Sequence, residues 1–226
     1  MPEVRKLVAS GEMRALALEV RAAGRSLGFV PTMGALHEGH LSLLRRAREE
    51  NDFLVASVFV NPTQFGSAED LEKYPRALKR DLKLCADQQV DAVFAPKAEE
   101  MYPGDEAVTF VEPGPVASRL EGMSRPSHFR GVCTVVAKLF NIVLPDRVYF
   151  GRKDAQQVAL ISQMIRDLNY GLEMIVCPTV READGLAMSS RNARLGKRER
   201  AAALALPRAL EAARRILEAD PDARIL

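Results

Sequence analysis

His37 and His40 lie three residues apart in GFVPTMGALHEGHLSLL, residues 28–44, and their type and spacing are the first in the sequence that could do chemistry. Phe29 and Val30 fit a buried strand, and Pro31, which lacks a backbone donor, is expected to stop its pairing. A loop begins at Thr32. Gly34 and Gly39 let its backbone approach a ligand closely or take positive φ. Leu41, Leu43 and Leu44 followed by Arg45, Arg46 and Arg48 then give a helix with one apolar side. The two histidines therefore straddle a helix start, where free N–H groups and the positive end of the helix dipole favour an anion. An imidazole there adds a donor or a proton, so the segment reads as strand, phosphate-binding loop and helix. On spacing alone the pair also fits surface residues or a metal site. Zinc is disfavoured, because the pattern is not His-Glu-x-x-His and no cysteine or further histidine is near, the third being His128.

Other polar groups fall at expected strand ends, where open parallel sheets gather ligands. The apolar run 53–60 stops at Asn61-Pro62-Thr63-Gln64, which also reads as a plain turn. After an expected strand over 147–150, Gly151, Lys153, Asp154 and Gln157 place a cation, an acceptor and an amide along one rim. Helix capping would explain Asp154 but neither Lys153 nor Gln157. Ser189, Ser190 and Arg191 combine two hydroxyls with a guanidinium fork, a phosphate clamp or a helix cap, and the two roles are compatible. Arg125, His128 and Arg130, ahead of an apolar helix over 132–144, suggest an anion-facing loop or a surface turn.

The elements that must carry these groups alternate. A helix or helix pair is expected over 4–23, ended by Gly24. Further strands are expected over 92–95 and 172–176, and a charged covering helix over 69–89, open to a break at Pro75, whose Lys73, Arg76, Lys79, Arg80 and Lys83 form a solvated face. Residues 101–115 read as an irregular connection around a short run from Val108 to Val111, and residues 197–219 as helix. This order predicts an α/β fold, a Rossmann-like doubly wound parallel sheet over 1–180, with a hinge near 178–187 and a small helical part over 181–226. The 226 residues are 47% apolar with a formal net charge of +2, no Trp and 6% aromatic residues. That balance gives no reason to expect nucleic acid or membrane as a partner. Cys85, Cys133 and Cys177 suit buried reduced thiols in a cytoplasmic protein, and no signal peptide or membrane span is visible.

His-x-Gly-His after a strand resembles the HIGH-type signature of the nucleotidyltransferase superfamily, and PTMGALHEGHLSL resembles the pantothenate synthetase (pantoate:β-alanine ligase) family in particular. The groups at 31–40, 61–64, 151–157 and 188–191 match segments of that family in type and order, and HFRGV at 128–132 is a fifth match. The resemblance implies a HIGH-type fold and ATP-dependent amide formation through a pantoyl adenylate. Met33, Gly34, Ala35, Leu36, His37, Glu38, Gly39 and His40 would hold the triphosphate, with His40 donating a proton and His37 assisting. Gly151, Arg152, Lys153, Asp154 and the backbone of Val180 would hold the nucleoside. Lys153, Met188, Ser189, Ser190 and Arg191 would meet the phosphates with Mg²⁺, Lys153 and Arg191 in catalytic roles. Asn61, Gln64 and Gln157 would bind pantoate, and Gln64 would border β-alanine. Mg²⁺ would enter through the ATP phosphates without a dedicated protein site, and the protein would be a homodimer. Arg152 stands where similar proteins more often carry an acidic or amide residue. Similar proteins also continue beyond the position of Leu226, so 181–226 would be part of a C-terminal lid domain. Two rival readings remain at this point: a HIGH-type enzyme acting on a phosphorylated small molecule, and a non-catalytic nucleotide-binding module.

Overall fold

The computed structural model describes residues 4–104 and 109–223. The chain opens with β1 (Arg5–Leu7) and α1 (Ser10–Ala22), after which Gly24 takes φ +68° and its N–H closes on Arg21 O. Residues 4–23 are thus not helical throughout as expected. Arg5, Lys6 and Leu7 pair in parallel with Ala92, Val93 and Phe94, and that distant ladder overrides local helical periodicity. β2 (Leu27–Thr32) leads into α2 (Glu38–Glu50), followed by β3 (Phe53–Val58), a 3-10 turn at Pro62–Gln64, α3 (Ala68–Glu72) and α4 (Leu78–Asp87). Then come β4 (Ala92–Phe94), α5 (Ala98–Met101), a 3-10 turn at Pro115–Ser118, α6 (Glu121–Ser124) and α7 (His128–Val143). β5 (Arg147–Gly151), a 3-10 turn at Arg152–Asp154, α8 (Ala155–Asp167) and β6 (Glu173–Cys177) complete the sheet. A 3-10 turn at Ser190–Arg194, α9 (Lys197–Ala203) and α10 (Ala205–Ala219) follow. The expected helix over 69–89 is broken around Pro75. Of the run from Val108 to Val111, Val108 lies outside the described residues, and 109–114 is irregular.

The six-stranded sheet is parallel throughout, in the order β1-β4-β3-β2-β5-β6. Alternate strand residues feed two cores. Leu27, Phe29 and Val55 face α1, α7 and α8, whereas Val30, Leu54 and Ala56 face α2 and α4. Helices on both faces make the sheet doubly wound, and the order reverses at β2, which opens a crevice beyond the carboxyl ends of β2, β3 and β5.

Pro31 does not stop the strand as expected, because β2 pairs with β3 through Pro31↔Ser57 and Thr32↔Val58. Thr32 O accepts from Phe59 N–H, so the neighbouring Pro31 turns its missing donor away from β3. It faces the β5 side, where pairing ends at Phe29↔Val148. Proline is tolerated there because no ladder bond is lost. Cys85, Cys133 and Cys177 are buried free thiols, and no helix among the described residues is long and apolar enough to cross a membrane.

Candidate active site

One cavity sits in the crevice, and the expected ATP and pantoate residues that line it come from four distant segments. Met33, His37, Gly39 and His40 come from the loop after β2 and the start of α2. Asn61 and Gln64 follow β3, and Gly151, Lys153, Asp154 and Gln157 follow β5. Val180, Met188, Ser189, Ser190 and Arg191 come from the chain after β6. Gly34, Ala35, Leu36, Glu38 and Arg152 do not line it. The loop turns through a left-handed pair, Gly34 at φ +81° and Ala35 at φ +51°, and directs the N–H groups of Ala35 and Leu36 to the Asp81 carboxylate at 2.9 Å each. Those two amides therefore face into the protein. Leu36 is buried, and Glu38 points outward to Arg45.

His37 occupies the N-cap position of α2 with extended backbone, and its ring centroid lies 4.1 Å from that of His40. Gly39 makes room for this, since a Cβ there would lie 2.9 Å from His37 Cε1. The His37 backbone N–H donates to His40 Nδ1 at 3.3 Å, which places the His40 proton on Nε2. His37 Nδ1 is buried without a hydrogen-bond partner, the kind of orphan that a bound polar ligand would satisfy. Burial, then the neighbouring Lys153 charge, lowers the His37 pKa. Burial, His37 and Lys153 push His40 down to about 3. His40 is thus a neutral N–H donor at neutral pH, not an imidazolium.

Lys153 Nζ donates to Asp154 Oδ1 at 3.1 Å. Asp154 holds the N-cap position of α8 without a side-chain capping bond, so its carboxylate serves the rim and not the helix. Ser189 Oγ accepts from Arg191 N–H at 3.2 Å, a capping role. Arg191 is held by Asp70 at 3.1 Å and lies 5.9 Å from the Tyr74 ring, while Ser190 Oγ is 3.4 Å from Tyr74 Oη.

Gln64 is presented by a buried frame. Its Oε1 accepts from Asn61 Nδ2 at 3.0 Å, its Nε2 donates to Met33 Sδ at 3.0 Å, and its backbone O accepts from His128 Nδ1 at 2.8 Å. Asn61 is almost fully buried and also binds Gly131 O and Tyr102 Oη, so its amide is engaged by protein on both sides. Of the expected cationic trio, Arg125 and His128 line the cavity. Arg130 does not, because α7 begins at His128 instead of 132, and the helix carries Arg130 outward to Glu112 and the Phe110 ring. The Asp81, Asp70, Tyr74 and Tyr102 contacts escaped sequence reasoning, as did an apolar wall of Val132, Val135, Val136 and Leu139 from α7. No local spacing marks them; the helical apolar run over 132–144 was the one available signal.

Burial is also the largest cause lowering the pKa of His128. For His37, His40 and His128 the unfolded chain therefore binds more protons just below pH 6.5 than the folded chain does. Stability should be fully present above that pH and decline as pH falls. Urea unfolding at pH 7 and 5.5 should differ by on the order of 1 kcal/mol, with a smaller difference in His40→Asn. Equal stability at both values would show the rings to be solvated.

A parallel sheet that reverses above a His-x-Gly-His helix start defines a HIGH-type nucleotidyltransferase fold. The family described as pantoate-beta-alanine ligase matches residues 6–225. A pantothenate synthetase of Thermotoga petrophila is 59% identical over 202 residues, 89% of this chain and 72% of that protein. One from Acidobacterium capsulatum is 63% identical over 188 residues, 83% of this chain and 62% of the relative. The crystal structure of pantothenate synthetase from Thermus thermophilus superposes with TM-score 0.88 at 50% identity, covering 95% of this chain and 76% of that one. The pantoate-beta-alanine ligase of Francisella tularensis, complexed with beta-gamma ATP and beta-alanine, gives 0.86 at 40% identity, covering 92% and 79%. The chain belongs to the pantoate-beta-alanine ligase family and is a ligase.

Proposed function

We propose that this chain condenses pantoate with β-alanine in an ATP-dependent reaction, through a pantoyl adenylate. The observation that carries this reading is the single cavity that sets His37, His40 and Lys153 beside the neutral amides of Gln64 and Gln157 and an apolar wall. Cations and N–H donors suit a triphosphate. Neutral amides over apolar surface suit a small branched hydroxy acid better than a phosphate ester, which disfavours the rival nucleotidyltransferase. The Francisella relative, crystallised with beta-gamma ATP and beta-alanine, supports the same substrates.

In this mechanism a pantoate carboxylate oxygen attacks the α-phosphorus, the α,β-bridging P–O bond breaks, and pyrophosphate leaves with the electron pair. The β-alanine amine then attacks the acyl carbon, the C–O bond to AMP breaks, and the nitrogen loses its proton to solvent. His40, through Nε2–H, and His37 meet the phosphates from the loop side, and Lys153 with Arg191 meets developing phosphoryl charge. Arg191 must exchange Asp70 for phosphate on binding. Gly151, Asp154 and Val180 border the nucleoside, while Met33, Met188, Ser189 and Ser190 close around the phosphates. Gln64 and Gln157 hold pantoate in line with phosphorus, with Gln64 bordering β-alanine and Asn61 holding Gln64. No group of three or more His, Cys, Asp or Glu converges among the described residues, and Mg²⁺ enters with the ATP phosphates in this reading. Residues 1–180 serve ATP and pantoate, and 181–226 belong to a lid that keeps water from the adenylate. The working form would be a cytoplasmic homodimer.

The test is pyrophosphate and AMP release from ATP and Mg²⁺, with pantoate alone and then with β-alanine. Pantoate-dependent pyrophosphate, with AMP and a new amide only after β-alanine is added, is the expected result. No pantoate-dependent release from a folded, ATP-binding sample would refute it. Within this reading, Gln157→Ala should raise the pantoate KM roughly tenfold or more while leaving ATP affinity within about threefold. A change confined to ATP would mean the two ends of the pocket are reversed.

A further inference from the structure

Asp81 has 0% exposure on the first turn of α4, and its two oxygens are each engaged by one backbone amide. Oδ2 accepts from Ala35 N–H and Oδ1 from Leu36 N–H, both at 2.9 Å. Burying a carboxylate is costly unless donors satisfy it, and Asp81 forms no ion pair among the described residues. Its compensation is the two charge-assisted amide bonds and the positive end of α4. The loop is bent to suit them. Ala35 adopts φ +51°, a region an alanine occupies only where its surroundings impose it, and a Cβ at Gly34 would meet Asp81 Oδ2 at 2.9 Å. Directly after this turn the chain delivers His37 and the start of α2, so the turn sets the angle from which both imidazoles reach the cavity.

We propose that Asp81 is a positioning residue for the phosphate loop: by taking the amides of Ala35 and Leu36, it fixes the left-handed turn that aims His37 and His40 into the cavity. It also withdraws those two amides from any phosphate. The triphosphate is then gripped by side chains and by loop amides other than those of Ala35 and Leu36, which narrows which part of the loop reads the nucleotide. The inference rests on the reading of this loop as the triphosphate site.

Asp81→Asn keeps the size of the side chain but sets an NH₂ group against one backbone N–H. Assayed well below its unfolding temperature, the variant should lose about thirtyfold in kcat for pantoate-dependent pyrophosphate release, with the pantoate KM within about threefold. The long-range ¹H–¹⁵N spectrum of His40 should lose its pure Nε2–H pattern. A kcat and a His40 spectrum both unchanged would overturn the proposal. So would an activity loss that follows only the folded fraction while the spectrum stays the same. Should Asp81→Asn fail to fold, Gly34→Ala presses on the same contact from the loop side and is read by the same two measurements. In the unmodified chain the amides of Ala35 and Leu36 should exchange on the order of a hundredfold slower than unbonded loop amides, and rapid exchange at both would overturn the proposal as well. The spectra and exchange need no substrate. An unmodified chain without pantoate-dependent pyrophosphate release would therefore sink the proposed reaction alone.

Discussion

His40→Ala should lower the rate of pantoate-dependent pyrophosphate release about a hundredfold or more while leaving ATP affinity within about tenfold. The reason is the ring's protonation and orientation. His40 Nδ1 accepts the His37 backbone N–H, so Nε2 carries the proton, and burial with the His37 and Lys153 charges holds the pKa at about 3. A neutral donor fixed in a partly dry pocket needs no reorganisation when charge builds on the phosphoryl oxygens, and such donors gain most of their value in the transition state. An amide can replace part of this, so His40→Asn should recover some of the rate that alanine loses. The same argument sets the pH dependence. The neutral form dominates throughout the range above the depressed pKa, so kcat/KM for ATP should not fall as pH rises through 6.5. An unchanged rate in His40→Ala would remove the residue from the mechanism. A fall of about tenfold per pH unit above 6.5 would instead mean that the imidazolium is the working form.

Gly131→Ala is expected to damage both stability and pantoate binding from outside the cavity wall. A Cβ at this position of α7 would lie 2.4 Å from Thr63 O, 2.6 Å from Thr63 C and 2.8 Å from Gln64 N. All three are backbone atoms, so relief cannot come from a side-chain rotamer and the 3-10 turn at Pro62–Gln64 must move away from the helix. That movement breaks the frame around Gln64, because Asn61 Nδ2 binds Gly131 O at 3.1 Å and His128 Nδ1 binds Gln64 O at 2.8 Å. Overpacking of this kind costs about 1–3 kcal/mol, readable by urea unfolding. A displacement of Gln64 by about 1 Å should lower kcat/KM for pantoate on the order of a hundredfold, with a much smaller effect on ATP affinity. Wild-type stability together with wild-type pantoate kinetics would show that α7 and the turn slide freely past each other.

The local grammar of the chain was legible from its residues. Helical periodicity located α2, α8 and all of α7 but its first turn, and apolar β-branched runs located β2, β3, β5 and β6 within a residue or two. Glycine marked the end of α1 and the turn before His37. These features depend on neighbours within a few positions, so sequence spacing records them directly. The alternation of strands and helices implied the parallel sheet, and with it the strand ends where polar groups would meet. Tertiary structure alone decided how those ends are joined and what holds them. β1 is a strand because Ala92–Phe94 lies beside it, and Pro31 stays in β2 because its missing donor faces the side where the β5 ladder has ended. Asp81, in a charged segment that reads as solvent-facing, is buried under a loop 46 positions earlier, and Asn61 is braced by Gly131 across 70. Contacts over such separations leave no periodic trace. They are set by the packing of whole helices against the sheet, which no window of sequence contains.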